Sequence, residues 1–236
     1  NIDPRVSAIA VTTVCLFAIP VNMAAQNWDD HNRHARYATT AHARNYLNSC
    51  APNAILFTYE DNDTFPLWYV QEVEGVRRDV RVVNLSLLSG SWYIDQMKRK
   101  AYESSGVPIS FTHEQYRDGK RDYVLIRDQF KEGNLKDVME FVASDLPQTK
   151  LQGYIKELDF IPTRNVILPV DSAKVIANGT VKPQDADQIV KDLRLHLPMQ
   201  GLTKSQLMVL DILSTNNWER PVYFGIGMGS DAYMGL

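Results

Sequence analysis

Residues 54–85, AILFTYEDNDTFPLWYVQEVEGVRRDVRVVNL, decide the fold. Ala54 to Tyr59 is a short, nearly continuous apolar run, and Val80 to Leu85 is a second. Runs of this length without polar alternation are the mark of strands buried on both faces. Between them lies a turn-rich stretch, Glu60-Asp61-Asn62-Asp63-Thr64, then a helical segment through about Glu74 that stops at Gly75. Strand, helix, strand in that order implies parallel strands joined by a right-handed crossover. Ser91 can cap a further helix carrying Trp92, Ile94 and Met97.

Toward the N-terminus, Val6 to Ala25 carries no charged residue over 20 positions, and about 20 apolar residues cross a bilayer core as a helix. Arg5 precedes the segment; Trp28, Asp29 and Asp30 follow it, and Trp at such a boundary suits a membrane interface. Ser7, Thr12, Thr13, Pro20 and Asn22 dilute it, as a membrane helix packed against neighbouring helices tolerates. A secretory signal with small residues Ala24 and Ala25 near a cleavage point, and a buried core helix, are the two competing readings. Residues 29–49, rich in Ala and Arg, read as a helix leading away from the apolar segment and ended by Pro52.

Beyond residue 120 the pattern predicts a strand at Tyr123–Ile126 and a helix at 133–145 with Leu135, Val138, Met139 and Val142 on one face. Val166–Val170 and Lys174–Ala177 read as strands around a turn at Asp171-Ser172, and 185–196 as a helix carrying Ile189, Val190 and Leu193. Thr203-Lys-Ser-Gln206 is a capping box opening a helix through Leu213. Val222–Ile226 closes the series as a strand. The expected fold class is α/β: a mainly parallel sheet with flanking helices, Rossmann-like, preceded by one transmembrane helix. The chain begins at Asn1 without an initiator Met and stops at Leu236 after a Gly-rich stretch, which is the pattern of a piece of a longer protein.

Composition excludes several classes. A net charge of -3 gives no basic footprint for nucleic acid. Two cysteines, Cys15 and Cys50, are too few for a disulfide scaffold or a thiolate zinc site. No His-Glu-X-X-His helix, phosphate loop, nucleophile elbow or dinucleotide fingerprint is present, and no cofactor is implied.

Two clusters carry candidate chemistry. Asp61, Asn62, Asp63 and Thr64 follow a buried strand, and open parallel sheets bind ligands beyond the carboxyl ends of their strands. Asp-X-Asp can hold a divalent metal, because hard cations collect carboxylate oxygens. The structural alternative is that Asp63 or Thr64 caps the helix and Pro66 occupies its first turn. Loops 86–91 and 227–233 should meet 60–66 at the same sheet edge, with Trp68, Trp92 and Tyr93 offering flat faces for a sugar ring or else filling the core. Asp29, Asp30 and His31, beside Arg33 and His34, form a second cluster, suited to proton transfer or metal binding or simply to solvated pairing at the headgroup level.

Longer motifs carry a resemblance. They are Trp28-Asp29-Asp30-His31, Asn45-Tyr46-Leu47 and Asn53-Ala54-Ile55-Leu56-Phe57-Thr58, then Asp61-Asn62-Asp63-Thr64-Phe65-Pro66-Leu67-Trp68-Tyr69 and Gln71-Glu72-Val73-Glu74-Gly75. Asp79-Val80-Arg81-Val82-Val83-Asn84-Leu85-Ser86-Leu87-Leu88, Trp92-Tyr93-Ile94-Asp95-Gln96-Met97, Asn216-Asn217-Trp218 and Arg220-Pro221-Val222-Tyr223-Phe224 complete the set. In these the chain resembles a family of multi-pass bacterial membrane proteins of unknown function related to eukaryotic protein O-mannosyltransferases. Glu60 departs from the family pattern, which has Gly there.

The resemblance implies that residues 1–26 are the last transmembrane helix of a longer membrane region. Residues 27–236 would then be an extracytoplasmic α/β domain, cut short at its C-terminus, on the periplasmic side of a bacterial inner membrane. It further implies a membrane-embedded glycosyltransferase that moves a sugar from a lipid-linked donor to a protein acceptor. The catalytic acid of such enzymes lies in an early outer loop outside this chain, which leaves this part an accessory role. The implied partners are the lipid bilayer, a lipid-linked sugar and a protein acceptor; a non-catalytic binding or assembly module of an envelope protein is the alternative.

Overall fold

The computed structural model describes residues 3–152, 158–229 and 233–234. The chain divides into two units, Asn1–Thr39 and Thr40–Leu236.

The first unit contains one long helix, α1 (Pro4–His31). Asp3 caps it, its carboxylate accepting the Arg5 N–H at 2.8 Å, and Pro4 takes the first turn, where a missing N–H costs nothing. At 28 residues the helix is about 42 Å long, and it is long and apolar enough to cross a membrane. None of its residues is buried. The single helix expected over 29–49 is not formed. Asn32 ends α1 in an extended conformation, its side chain accepting the His34 N–H at 3.2 Å, a local bond that competes with the helical ladder.

The second unit runs α2 (Ala38–Ser49), β1 (Ile55–Thr58), α3 (Glu60–Glu72), β2 (Arg81–Asn84), α4 (Ser91–Met97) and α5 (His113–Tyr116). It continues with β3 (Tyr123–Ile126), β4 (Gly133–Asn134), α6 (Leu135–Ala143), β5 (Lys150–Leu151), β6 (Leu158–Ile161), β7 (Asn165–Pro169) and α7 (Ser172–Ala177). It ends with β8 (Asp192–His196), β9 (Gly201–Thr203), α8 (Lys204–Asn216) and β10 (Val222–Phe224). Among the described residues, helices are combined with three small sheets, ordered β10-β1-β2, β5-β6-β3-β9 and β4-β7-β8.

The first sheet is parallel throughout. Ile55 pairs with both Arg81 and Val222, and Phe57 with Val83 and Phe224. All four residues of β1 are buried. Ile55 and Phe57 face the main core with Tyr93 and Ile94 of α4 and Met208 of α8. Leu56 faces the other way, against Leu47 of α2 and Leu67 and Val70 of α3. The two strands and crossover helix predicted from residues 54–85 are therefore present as parallel neighbours with helices on both faces.

The other two sheets correct the expectation of a mainly parallel sheet. β3 lies parallel to β6 but antiparallel to β9, and β7 parallel to β4 but antiparallel to β8. Two local predictions fail with them. Lys174–Ala177 is helical, because the Asp171 carboxylate accepts the N–H groups of Ala173 and Lys174, both at 3.1 Å, and starts α7 instead of a hairpin turn. The helix expected over 185–196 is a 3-10 turn, Pro183–Gln188, followed by β8. Leu193 and Leu195 there read at period two, and five residue pairs with β7 outweigh the helical spacing of Ile189, Val190 and Leu193. The capping box at Thr203 and Gln206 does open α8, with the Thr203 N–H donating to Gln206 Oε1 at 2.9 Å.

Since Phe57 is fully buried and its ring lies 5.1 Å from that of Phe224, Phe57→Ala is expected to cost about 3–5 kcal/mol in denaturant unfolding of the chain in detergent. Val73→Ala, at a residue 67% exposed, should change stability by no more than about 0.5 kcal/mol. Similar values for the two would show that β1 is not the centre of the core.

Candidate functional site at the carboxyl edge of the parallel sheet

The segments that leave β1, β2 and β10 come together at one edge. Asn84 joins the first two: its Nδ2 donates to Thr64 Oγ1 at 2.8 Å and to the Glu60 carbonyl at 3.3 Å, while its Oδ1 accepts the Leu87 N–H at 3.1 Å. Gly227 joins the first and third. A Cβ at this position would stand 2.4 Å from Asp63 Oδ1, so absence of a side chain is what admits the carboxylate. Next to it, Tyr46 of α2 accepts the Ile226 N–H at 2.7 Å and Tyr233 donates to the Gly225 carbonyl at 2.8 Å. Burial pushes the Tyr46 phenol above its usual range. Of the predicted third arm, 227–233, residues 230–232 lie outside the described residues.

The acidic stretch is helix, not loop. Glu60, Asp61 and Asp63 form the first turn of α3, where negative charge complements the N-terminal end of the helix dipole. The cap position belongs to Tyr59, which makes no side-chain capping bond, and Pro66 sits inside the helix rather than at its start. Thr64 is buried and committed to structure, donating to the Glu60 carbonyl at 2.7 Å and sharing a hydrogen bond with Thr58. Asp61 and Asn62 are exposed, and Asp63 is half-buried against Gly227. Among the described residues no three His, Cys, Asp or Glu side chains gather as a metal set.

Trp68, Trp92 and Tyr93 line one cavity of about 590 Å³ beside β2, the end strand of its sheet. Their roles differ. Tyr93 is 1% exposed, accepts the Asn84 N–H at 3.0 Å, and has its pKa pushed up to about 12 by burial, so it pins α4 to β2 rather than presenting a face. Trp68 stacks on Phe65 at 5.7 Å, and Trp92, 60% exposed, stands edge-on to Tyr93 at 5.5 Å. The same lining is basic, with Arg78, Arg81, Arg99 and Lys100. No sequence pattern marks these residues as a group; the one signal is Arg81, a charge in a strand otherwise apolar enough to be buried. Asp29, Asp30 and His31 lie exposed at the end of α1, His31 Nδ1 3.0 Å from the Asn27 carbonyl oxygen.

The chain thus combines an α/β unit, bearing an acidic turn, a glycine-framed carboxylate and an aromatic-and-basic cavity, with one helix long and apolar enough to cross a membrane. A protein-family model described as TMEM260-associated domain 2 matches residues 39–236, and the chain belongs to that family. Comparison with curated proteins and with solved structures finds no match.

One feature of the acidic turn is strained. Glu60 opens α3 at φ +63°, with its carbonyl held by Thr64 and Asn84. The left-handed region suits Gly, and a side chain there is strained. Glu60→Gly should therefore raise the unfolding free energy by roughly 1 kcal/mol, read as a higher denaturant midpoint at unchanged slope; a lower midpoint would mean that the Glu60 side chain contributes more than its backbone strain costs.

Proposed function

We propose that this chain is the accessory soluble domain, with its membrane helix, of a membrane-embedded glycosyltransferase of the protein O-mannosyltransferase type. The observation that carries the reading is the family match over 39–236, since TMEM260 is linked to that class of enzyme. In this reading α1 is the last membrane span, the soluble domain lies on the periplasmic side of a bacterial inner membrane, and the sugar comes from a lipid-linked donor. The β10-β1-β2 sheet, with helices on both faces, acts as a Rossmann-like platform whose carboxyl edge handles the protein acceptor or its sugar.

Asp61, Asn62 and Asp63 offer hydrogen-bond acceptors and donors to hydroxyl-rich ligands there. Trp68 and Trp92 offer apolar ring faces, while Thr64 and Tyr93 hold the turn and α4 in place. A non-catalytic binding module is the second reading. It is favoured by the exposed apolar stripe on α3, where Phe65 is 50%, Tyr69 49% and Val73 67% exposed.

Asp61→Ala and Asp63→Ala in the full-length transferase separate these readings. Neither residue caps α3, so loss of the helix-dipole interaction should cost each about 0.3–1 kcal/mol. Sugar transfer to the protein acceptor should fall in both variants while their unfolding remains near the parental curve. Transfer at the parental rate in both would remove the acidic turn from the site.

A further inference from the structure

Arginine is used repeatedly in this fold to close helix ends. Arg77 Nη1 donates to the Leu47 and Cys50 carbonyls after α2, at 2.8 and 2.9 Å. Arg121 Nε donates to the Val142 carbonyl at the end of α6, at 2.9 Å. Arg81 does the same for α4, its Nη2 donating to the carbonyls of Gln96 and Arg99 at 3.0 and 3.1 Å. Cations at helix C-termini complement the dipole and the orphan carbonyls.

The three differ in what balances their charge. Arg77 pairs with Asp79 at 2.8 Å, and Arg121 with Asp145 at 2.8 Å and Asp159 at 3.3 Å. Arg81 forms no salt bridge among the described residues, although it is 6% exposed, and its buried Nε has no hydrogen-bond partner among them. A second buried cation stands near. Arg220, 5% exposed, is lowered to about 10 by burial first and by the charge of Arg81 next. Closing α4 explains one nitrogen of Arg81; it does not explain a buried, unbalanced guanidinium in a cavity wall.

The rest of the wall points the same way. Four cations and one carboxylate, Glu72, line this cavity in a chain whose net charge is -3. Glu72 is engaged by the Tyr102 hydroxyl. Arg78 lies 3.6 Å above the Tyr102 ring, its one ion pair among the described residues is a long contact with Glu103 at 3.8 Å, and its buried Nε also lacks a hydrogen-bond partner among them. The volume, about 590 Å³, falls within the range of small-molecule sites, roughly 300–1,000 Å³.

We propose that this cavity binds a phosphate-bearing small molecule, its phosphate seated against Arg81 and Arg78 with Lys100 at the rim, and its organic part on Trp68 and Trp92. Two guanidiniums and an ammonium suit a group with several acceptor oxygens and more than one negative charge better than a single carboxylate. The proposal goes beyond the acceptor-handling reading and stands whether or not the larger protein transfers sugar.

Calorimetric titration of the full chain in detergent at constant ionic strength tests it. The soluble probe is glucose 1-phosphate with glucose as its control; the lipid probe is short-chain phosphatidic acid with short-chain phosphatidylcholine as its control. Saturable binding of glucose 1-phosphate and not glucose identifies a free phosphate ester as ligand. Binding of phosphatidic acid alone identifies a lipid phosphate. In either case the double variant Arg78→Gln/Lys100→Gln should bind about tenfold more weakly or worse at an unchanged unfolding temperature. Arg81→Met should also lose binding; if that variant does not fold, the double variant decides alone. Equal affinity in the parent and the double variant, or no saturable binding of either phosphate probe, overturns the site.

Discussion

The strand Ile55–Thr58 has no exposed face, and the organisation of the second unit follows from that constraint. An apolar strand alternates its side chains between two sides, so both sides need cover. Here α2 and α3 supply one layer, through Leu47, Leu67 and Val70, and α4 and α8 the other, through Ile94 and Met208. A helix placed between two strands as cover makes them parallel, because the chain must return to the edge from which it started. Parallel strands bring their carboxyl ends to one edge, which is why Asp63, Asn84 and Gly227, distant in sequence, are neighbours.

Apolar cover alone would leave the register of that edge loosely defined. A buried polar chain defines it. Thr58 bonds Thr64 at 2.8 Å, Asn84 bonds Thr64 at 2.8 Å, and the Tyr93 hydroxyl takes the Asn84 N–H at 3.0 Å. β1, α3, β2 and α4 are thereby tied together by side chains whose hydrogen bonds have short, specific geometry. Partly satisfied networks cost more than apolar packing, whereas satisfied ones select one arrangement. The same chain holds the Glu60 carbonyl, so the positive φ of Glu60 is maintained by partners on two elements and not by its own preference.

What was legible in the sequence follows the same physics. Residues 54–85 are readable because double-sided burial leaves short, largely apolar runs, and the Thr203–Gln206 box because capping is local chemistry. Residues 185–196 were misread because Leu193 and Leu195 acquire their period only by pairing with β7, far away in the chain. Lys174–Ala177 was misread because apolar content outweighed the capping signal of Asp171. At the site, the acidic turn, Trp68 and Trp92 were visible as types in a pattern. Arg78, Arg81 and Lys100 were not, because a cavity lining assembled from the segment before β2, β2 itself and the segment after α4 has no spacing in sequence. Gly227 could not be read either: its meaning is the carboxylate standing where its side chain would be.

Helix α3 shows how little room the fold leaves between structure and chemistry. Thr64, Leu67, Val70 and Gln71 face inward, on the spacing of a core-facing stripe. Trp68 and Glu72, one turn apart, line the cavity. Phe65, Tyr69 and Val73, at four-residue intervals, are exposed. Asp63 approaches Gly227 at the N-terminal end. A helix serving one core would be polar on its outer face; this one exposes Phe65, Tyr69 and the C-cap residue Val73 there. Packing of β1 accounts for the inward stripe alone. The exposed residues Phe65, Tyr69 and Val73 are therefore the positions whose character the packing of β1 does not dictate, whereas Trp68 also packs against both core clusters.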